Sequence, residues 1–153
     1  MKYFTAGIVF SEIPDEVTLE LGITNCPYRC EGCHSPFLQK DIGIELTWEK
    51  LKYLIHLHKG LLTCVLFSGG DADYHSVEYL CKMIKDEYPE LTTAWYSGRE
   101  ALPEDLHLRY FNYIKLGPYK KDLGGLKSPT TNQRLYKVED NGTLTDITNK
   151  FWK

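Results

Sequence analysis

The chain reads as an α/β domain built from parallel strand–helix units and arranged as a partial, open β/α barrel. Three observations predict this. Apolar, β-branched runs alternate with segments of helical spacing. Turns rich in serine and glycine follow those runs, at Ser68, Gly69 and Gly70 and again at Tyr96, Ser97 and Gly98. Only four or five such units fit, too few for a closed eight-stranded barrel of about 250 residues. With 153 residues and no linker or internal repeat, the expectation is one domain over 1–153.

The elements follow in order. Residues 1–10 read as a first strand and not a signal peptide, because the short apolar patch is broken by Ser11, Glu12 and Pro14. VTLELGI, 17–23, reads as a strand that leads directly into a cysteine loop. WEKLKYLIHLH, 48–58, places Leu51, Leu54, Ile55 and His58 at helical spacing, with Thr47 as N-cap and Gly60 past the end. LLTCVLF, 61–67, reads as a buried strand, and Asp73 or Ser76 caps a helix over about 76–87 that Pro89 ends. TTAWYS, 92–97, reads as a strand and a short helix is expected near 104–111. YIKLG, 113–117, is another strand, 118–129 a loop, and RLYKV, 134–138, a last strand before a turn at Asn141 and Gly142. Sites in parallel α/β folds sit at the carboxyl ends of strands. The cysteine loop, the Ser-Gly-Gly turn and the Tyr-Ser-Gly turn should therefore share one rim.

Composition narrows the function classes. Hydrophobic residues are 42% and charged residues 25%, the balance of an ordinary folded globule. A net charge of −3 argues against a nucleic-acid binder, which carries a basic surplus or stripe. No apolar run approaches the roughly 20 residues that span a bilayer, so no membrane association is expected. Five cysteines, three of them clustered, argue for a reducing, cytoplasmic setting over a disulfide framework.

Those three, Cys26, Cys30 and Cys33 in NCPYRCEGCHSP, have the spacing CxxxCxxC. Thiolates this close can converge on one metal centre. A structural zinc site usually takes four ligands. An iron–sulfur cluster with one iron left open takes three. A zinc knuckle would need His34, Cys64 or Cys81 as a fourth ligand. Cys64 lies in an apolar strand and Cys81 on an apolar helix face, so both read better as buried small hydrophobes. In FSGGDAD, 67–73, the two glycines free backbone groups to meet a small ligand, and Asp71 adds a carboxylate suited to an ammonium group.

The CxxxCxxC loop after one strand and the Gly-Gly-acid turn after the next resemble the radical S-adenosylmethionine superfamily. More narrowly, the chain resembles the small activating proteins of anaerobic ribonucleotide reductases. The CEGCHSP string, the Gly-Gly-Asp turn and TTNQRLY at 130–136 carry that likeness, which covers nearly the whole chain. It departs at Gly32, where many members have an aromatic, at Ala72, where proline is usual, and at Leu116, where an acid is common.

The resemblance implies a partial barrel of the radical S-adenosylmethionine type. It implies that Cys26, Cys30 and Cys33 hold a 4Fe–4S cluster whose fourth iron takes the methionine end of S-adenosylmethionine. Ser68, Gly69, Gly70 and Asp71 would hold the methionine amino group, and backbone at Gly32 would meet the adenine. Ser97 would reach the ribose or carboxylate, and Lys115 the carboxylate. Asn132 and Gln133 would close the site or meet the partner. The implied reaction makes a glycyl radical on the anaerobic ribonucleoside-triphosphate reductase, with electrons from a carrier such as flavodoxin. Two alternatives stay open: an activase of another glycyl-radical enzyme or a short enzyme acting on a small molecule, and a zinc-binding module without catalysis.

Overall fold

The computed structural model of the chain describes residues 1–152. Eight strands form one mixed sheet: β1 (Lys2–Val9), β2 (Thr18–Ile23), β3 (Ile44–Glu45), β4 (Cys64–Ser68), β5 (Thr92–Tyr96), β6 (Tyr113–Leu116), β7 (Arg134–Val138) and β8 (Leu144–Asp146). Their spatial order is β3-β1-β2-β4-β5-β6-β7-β8. The central four, β2, β4, β5 and β6, run parallel. The outer strands on both sides pair antiparallel.

Helix α1 (Trp48–Leu57) crosses from β3 to β4, and α2 (Tyr74–Glu87) from β4 to β5. The Thr47 hydroxyl accepts the Lys50 N–H at 3.1 Å and so caps α1. Asp73 precedes α2 without a capping bond of its own; its carboxylate instead accepts from the Ser76 hydroxyl.

Period-two alternation splits the sheet into two faces. Leu19, Leu21 and Ile23 of β2, Val65 and Phe67 of β4, Trp95 and Ile114 face the helices. There they meet Leu51 and Ile55 of α1 and Val77, Leu80, Cys81 and Ile84 of α2. The opposite face buries Cys64, Leu66, Ala94 and Leu135 beneath Ile13 and Ile147. On that second face, one register row crosses five strands: Gly22, Ser68, Tyr96, Lys115 and Leu135. Toward the carboxyl ends of the parallel strands this row brings Ser68, Tyr96 and Lys115 onto that face, and there the site lies.

Three local expectations need correction. The helix near 104–111 is a single 3₁₀ turn, Leu108–Tyr110. The Glu78 carboxylate on α2 takes the His107 backbone N–H at 2.6 Å, a donor that a continuing α-helix would have turned back on its own carbonyls. RLYKV is not the last strand. A turn with Gly142 at φ 84° returns the chain as β8. The two-residue β3, unanticipated, pairs Ile44 and Glu45 with the start of β1.

Candidate functional site

The loop after β2 is built as a closed neck and a free tip. Asn25 N–H bonds to Lys40 carbonyl at 3.0 Å and Cys26 N–H to Leu38 carbonyl at 2.9 Å. The Thr24 hydroxyl donates to the Ile42 carbonyl at 2.7 Å and ties the neck to the segment before β3. Within the tip, Cys33 N–H closes on Cys30 carbonyl at 3.2 Å, and the Cys33 sulfur accepts from Ser35 N–H at 3.4 Å. Gly32 sits between them at φ 74°, a conformation that side chains other than glycine resist.

Cys26, Cys30 and Cys33 are free, partly exposed thiols that line one cavity of about 830 Å³. That volume falls within the roughly 300–1,000 Å³ of small-molecule sites. Ser68, Gly69, Asp71, Gly98 and Lys115 line the same cavity. The three turns thus border one space at the carboxyl ends of β2, β4 and β5. Gln133, Tyr28 and Tyr119 contribute further wall. Among the described residues, Gly32, Gly70, Ser97 and Asn132 do not line it.

Each anticipated residue has a definite local role. Gly69 stands at φ 105°; its N–H donates to Tyr96 carbonyl at 3.0 Å and its carbonyl accepts from the Trp95 indole at 2.8 Å. One carbonyl lone pair is left for a ligand. Gly70, at φ 92°, accepts Asp73 N–H on its carbonyl at 3.0 Å. The buried Asp71 carboxylate accepts the Ser97 hydroxyl, and the Gly98 N–H at 3.0 Å. Ser97 is fully buried. Asn132 donates its amide to Pro118 carbonyl at 3.0 Å, while its buried Oδ1 has no partner.

Lys115 is buried and donates to Gly117 carbonyl at 3.1 Å, with Nζ 5.7 Å from the centre of the Tyr96 ring. Burial holds its ammonium down at about 8, against the pull of Asp71 and the three nearby cysteines. The Cys26 thiol is pushed up, first by burial and then by the charges of Asp71, Cys30 and Cys33. A cationic metal core is the kind of group that reverses such a shift and draws the proton off.

Cys64 and Cys81 are fully buried and lie in the two hydrophobic cores, not on the cavity. Burial raises the Cys64 thiol to about 12 and lifts Cys81 as well. His34 lines the cavity and packs its ring 5.6 Å from that of Tyr119. Among the described residues, no three His, Cys, Asp or Glu side chains close on one point, Cys26, Cys30 and Cys33 included. The donor set that fits a cluster is three soft thiols on one loop, facing a cavity with room for a second ligand.

Sequence reasoning missed several wall residues. Glu12 and Glu20 both line the cavity, and burial together with Glu12 lifts the Glu20 carboxyl. A carboxylate amid the apolar TLELGI was the available signal. Tyr28 packs so closely on Gly98 that a Cβ there would lie 2.8 Å from its ring. Arg99 braces the Asp71 turn from outside the cavity, a contact no local pattern announces.

No family model matches the chain, and no solved structure matches it. Over 141 residues, 87% of this chain and 86% of the relative, it is 28% identical to the anaerobic ribonucleoside-triphosphate reductase-activating protein of Enterobacteria phage T4.

Proposed function

We propose that this chain is an activase of the anaerobic ribonucleoside-triphosphate reductase, acting through a 4Fe–4S cluster and S-adenosylmethionine. One observation carries the reading: three free thiols of a closed loop share a cavity with the Gly-Gly-Asp turn and a buried lysine. The likeness to the T4 activating protein over most of both chains supports it. The parallel β2-β4-β5-β6 core with its helical crossovers supports the partial barrel of that superfamily.

Cys26, Cys30 and Cys33 would hold the cluster. When bound, that cluster would supply the electron for reductive cleavage of S-adenosylmethionine, the chemistry by which a glycine of the reductase would lose a hydrogen atom. The chain's own residues bind and orient. Ser68 and the backbone of Gly69 direct the methionine ammonium, with Gly70 and Asp71 behind them. Lys115, still charged at neutral pH, faces the carboxylate. Gly32 and Asn132 stand behind the cavity wall, where Gly32 shapes the cysteine loop and Asn132 ties to the Pro118 carbonyl. Tyr28, Tyr96 and Tyr119 supply aromatic wall to the cavity. Five free cysteines support a reducing, cytoplasmic setting and an external one-electron donor such as flavodoxin. Among the described residues, no helix is long and apolar enough to cross a membrane.

Oxygen-free purification tests the reading. A brown protein with about four irons and four sulfides is expected. With reductant it should cleave S-adenosylmethionine and raise a glycyl electron-spin signal on the reductase. A colourless protein with one zinc would replace this reading with a non-catalytic zinc module. Cleavage without the glycyl signal would move the target to another glycyl-radical enzyme or to a small molecule.

A further inference from the structure

The Asp71 carboxylate has a side chain only 2% exposed, although it borders the cavity. Its donors come from the chain itself. Ser97 donates its hydroxyl, Gly98 its N–H at 3.0 Å, and Arg99 brings its guanidinium Nε to 3.6 Å. Arg99 also donates from Nη2 to the Asp71 carbonyl at 3.4 Å, and its own N–H goes to the Ser97 hydroxyl at 3.0 Å. Its guanidinium lies 4.9 Å over the Tyr74 ring at the start of α2.

These contacts reach every turn of the rim. Asp71 belongs to the turn after β4, and Ser97 to Arg99 form the turn after β5. The Arg99 carbonyl accepts Gly117 N–H at 2.6 Å, which adds the turn after β6. Gly98 abuts Tyr28, which adds the cysteine loop. A carboxylate offers about four acceptor positions; two accept hydrogen bonds from within the chain, and the Arg99 guanidinium adds its charge at 3.6 Å without a hydrogen bond from Nε.

We infer that Asp71 and Arg99 are a positioning pair: together they set the relative placement of the four loops that surround the cavity, and Asp71 does not serve as the counter-ion of a bound ammonium. The inference deepens the proposed function and rests on it for where the ligand sits. Arg99 acts through Asp71, from outside the cavity wall.

Amide hydrogen exchange and turnover together test this. In Asp71→Ala and in Arg99→Met, exchange at Gly98 and Gly117 should quicken by about tenfold or more, with the amides of β4 unchanged. In the reconstituted protein, kcat for S-adenosylmethionine cleavage should fall by roughly tenfold while KM stays within about threefold, and Arg99→Lys should recover most of the loss. Wild-type exchange at Gly98 and Gly117 in both variants would overturn the inference. So would a tenfold rise in KM for Asp71→Ala at unchanged kcat, the mark of a direct ammonium partner. Should Asp71→Ala fail to fold, Arg99→Met and Arg99→Lys, at a side chain 30% exposed, decide the matter. Failure of the wild-type protein to cleave S-adenosylmethionine would instead remove the proposed function, and the exchange rates would still decide whether the pair positions the rim.

Discussion

Lys115 gives the clearest quantitative test of how this site is built. Its ammonium is buried, satisfied by one carbonyl at 3.1 Å, and held at about 8 where a free lysine stands at 10.5. The folded state therefore releases this proton at lower pH than the unfolded state does. Between about 8 and 10.5 the unfolded chain binds more protons, so stability rises with pH across that window. Below 8 both states are protonated and the burial penalty is present in full. At about 1.4 kcal/mol per pH unit, the interval integrates to roughly 3 kcal/mol. The perturbation is Lys115→Met, which keeps the length and removes the charge. Urea unfolding of the cluster-free protein and the variant at pH 7.5, 9 and 10.5 supplies the assay. The variant should be the more stable at pH 7.5, and the difference should shrink by about 3 kcal/mol by pH 10.5. Groups that titrate in the same range away from Lys115 are common to both proteins and largely cancel, and blocking the thiols in both removes the share of Cys26, Cys30 and Cys33, which feel its charge. A difference that stays constant across the series would refute the burial of a charged lysine here.

Other perturbations separate ligands from packing. Cys30→Ala should abolish iron and sulfide incorporation with the circular dichroism spectrum retained, whereas Cys81→Ala should keep the cluster and lose about 1 kcal/mol in a denaturant titration. Loss of iron in Cys81→Ala would mean that the ligand set is wrong. Gly69→Ala should lose more than about 1 kcal/mol in thermal unfolding, because φ is 105° and the new Cβ would stand 2.9 Å from the Ile23 carbonyl. Glu16 is raised chiefly by burial, with the Thr92 hydroxyl bond opposing, so its cost to stability appears as pH climbs past 4.5 through its folded value. Glu16→Gln should flatten that part of the stability–pH curve, and an unchanged curve would contradict the assignment.

Much of this arrangement is legible in the chain because local rules carry it. Thr47 before an apolar-periodic run marks the start of α1, and LLTCVLF before two glycines marks β4 and its turn. The loops with chemistry were readable for the same reason, since each directly follows a strand of the parallel core. What was not legible depends on groups distant in sequence. The turn at Leu108–Tyr110 replaces a helix because Glu78, 29 residues earlier, captures the His107 backbone. Strands β3 and β8 are two and three residues long and have too little pattern to announce themselves. Asp71 reads locally as a free carboxylate, and only the fold reveals Ser97, 26 residues on, as its donor.

The neck of the cysteine loop is fastened by peptide groups, at Asn25 with Lys40 and Cys26 with Leu38, and by no thiol. Small metal-dependent domains draw their folding free energy from the metal and come apart under chelation. Here the neck closes through hydrogen bonds of the chain itself. The expected outcome for the proposed cluster is that its assembly and loss leave the sheet folded, checked by circular dichroism with and without chelator. Oxygen damage should therefore leave a folded, reloadable chain, and repair needs only a supply of iron and sulfide, with no refolding step.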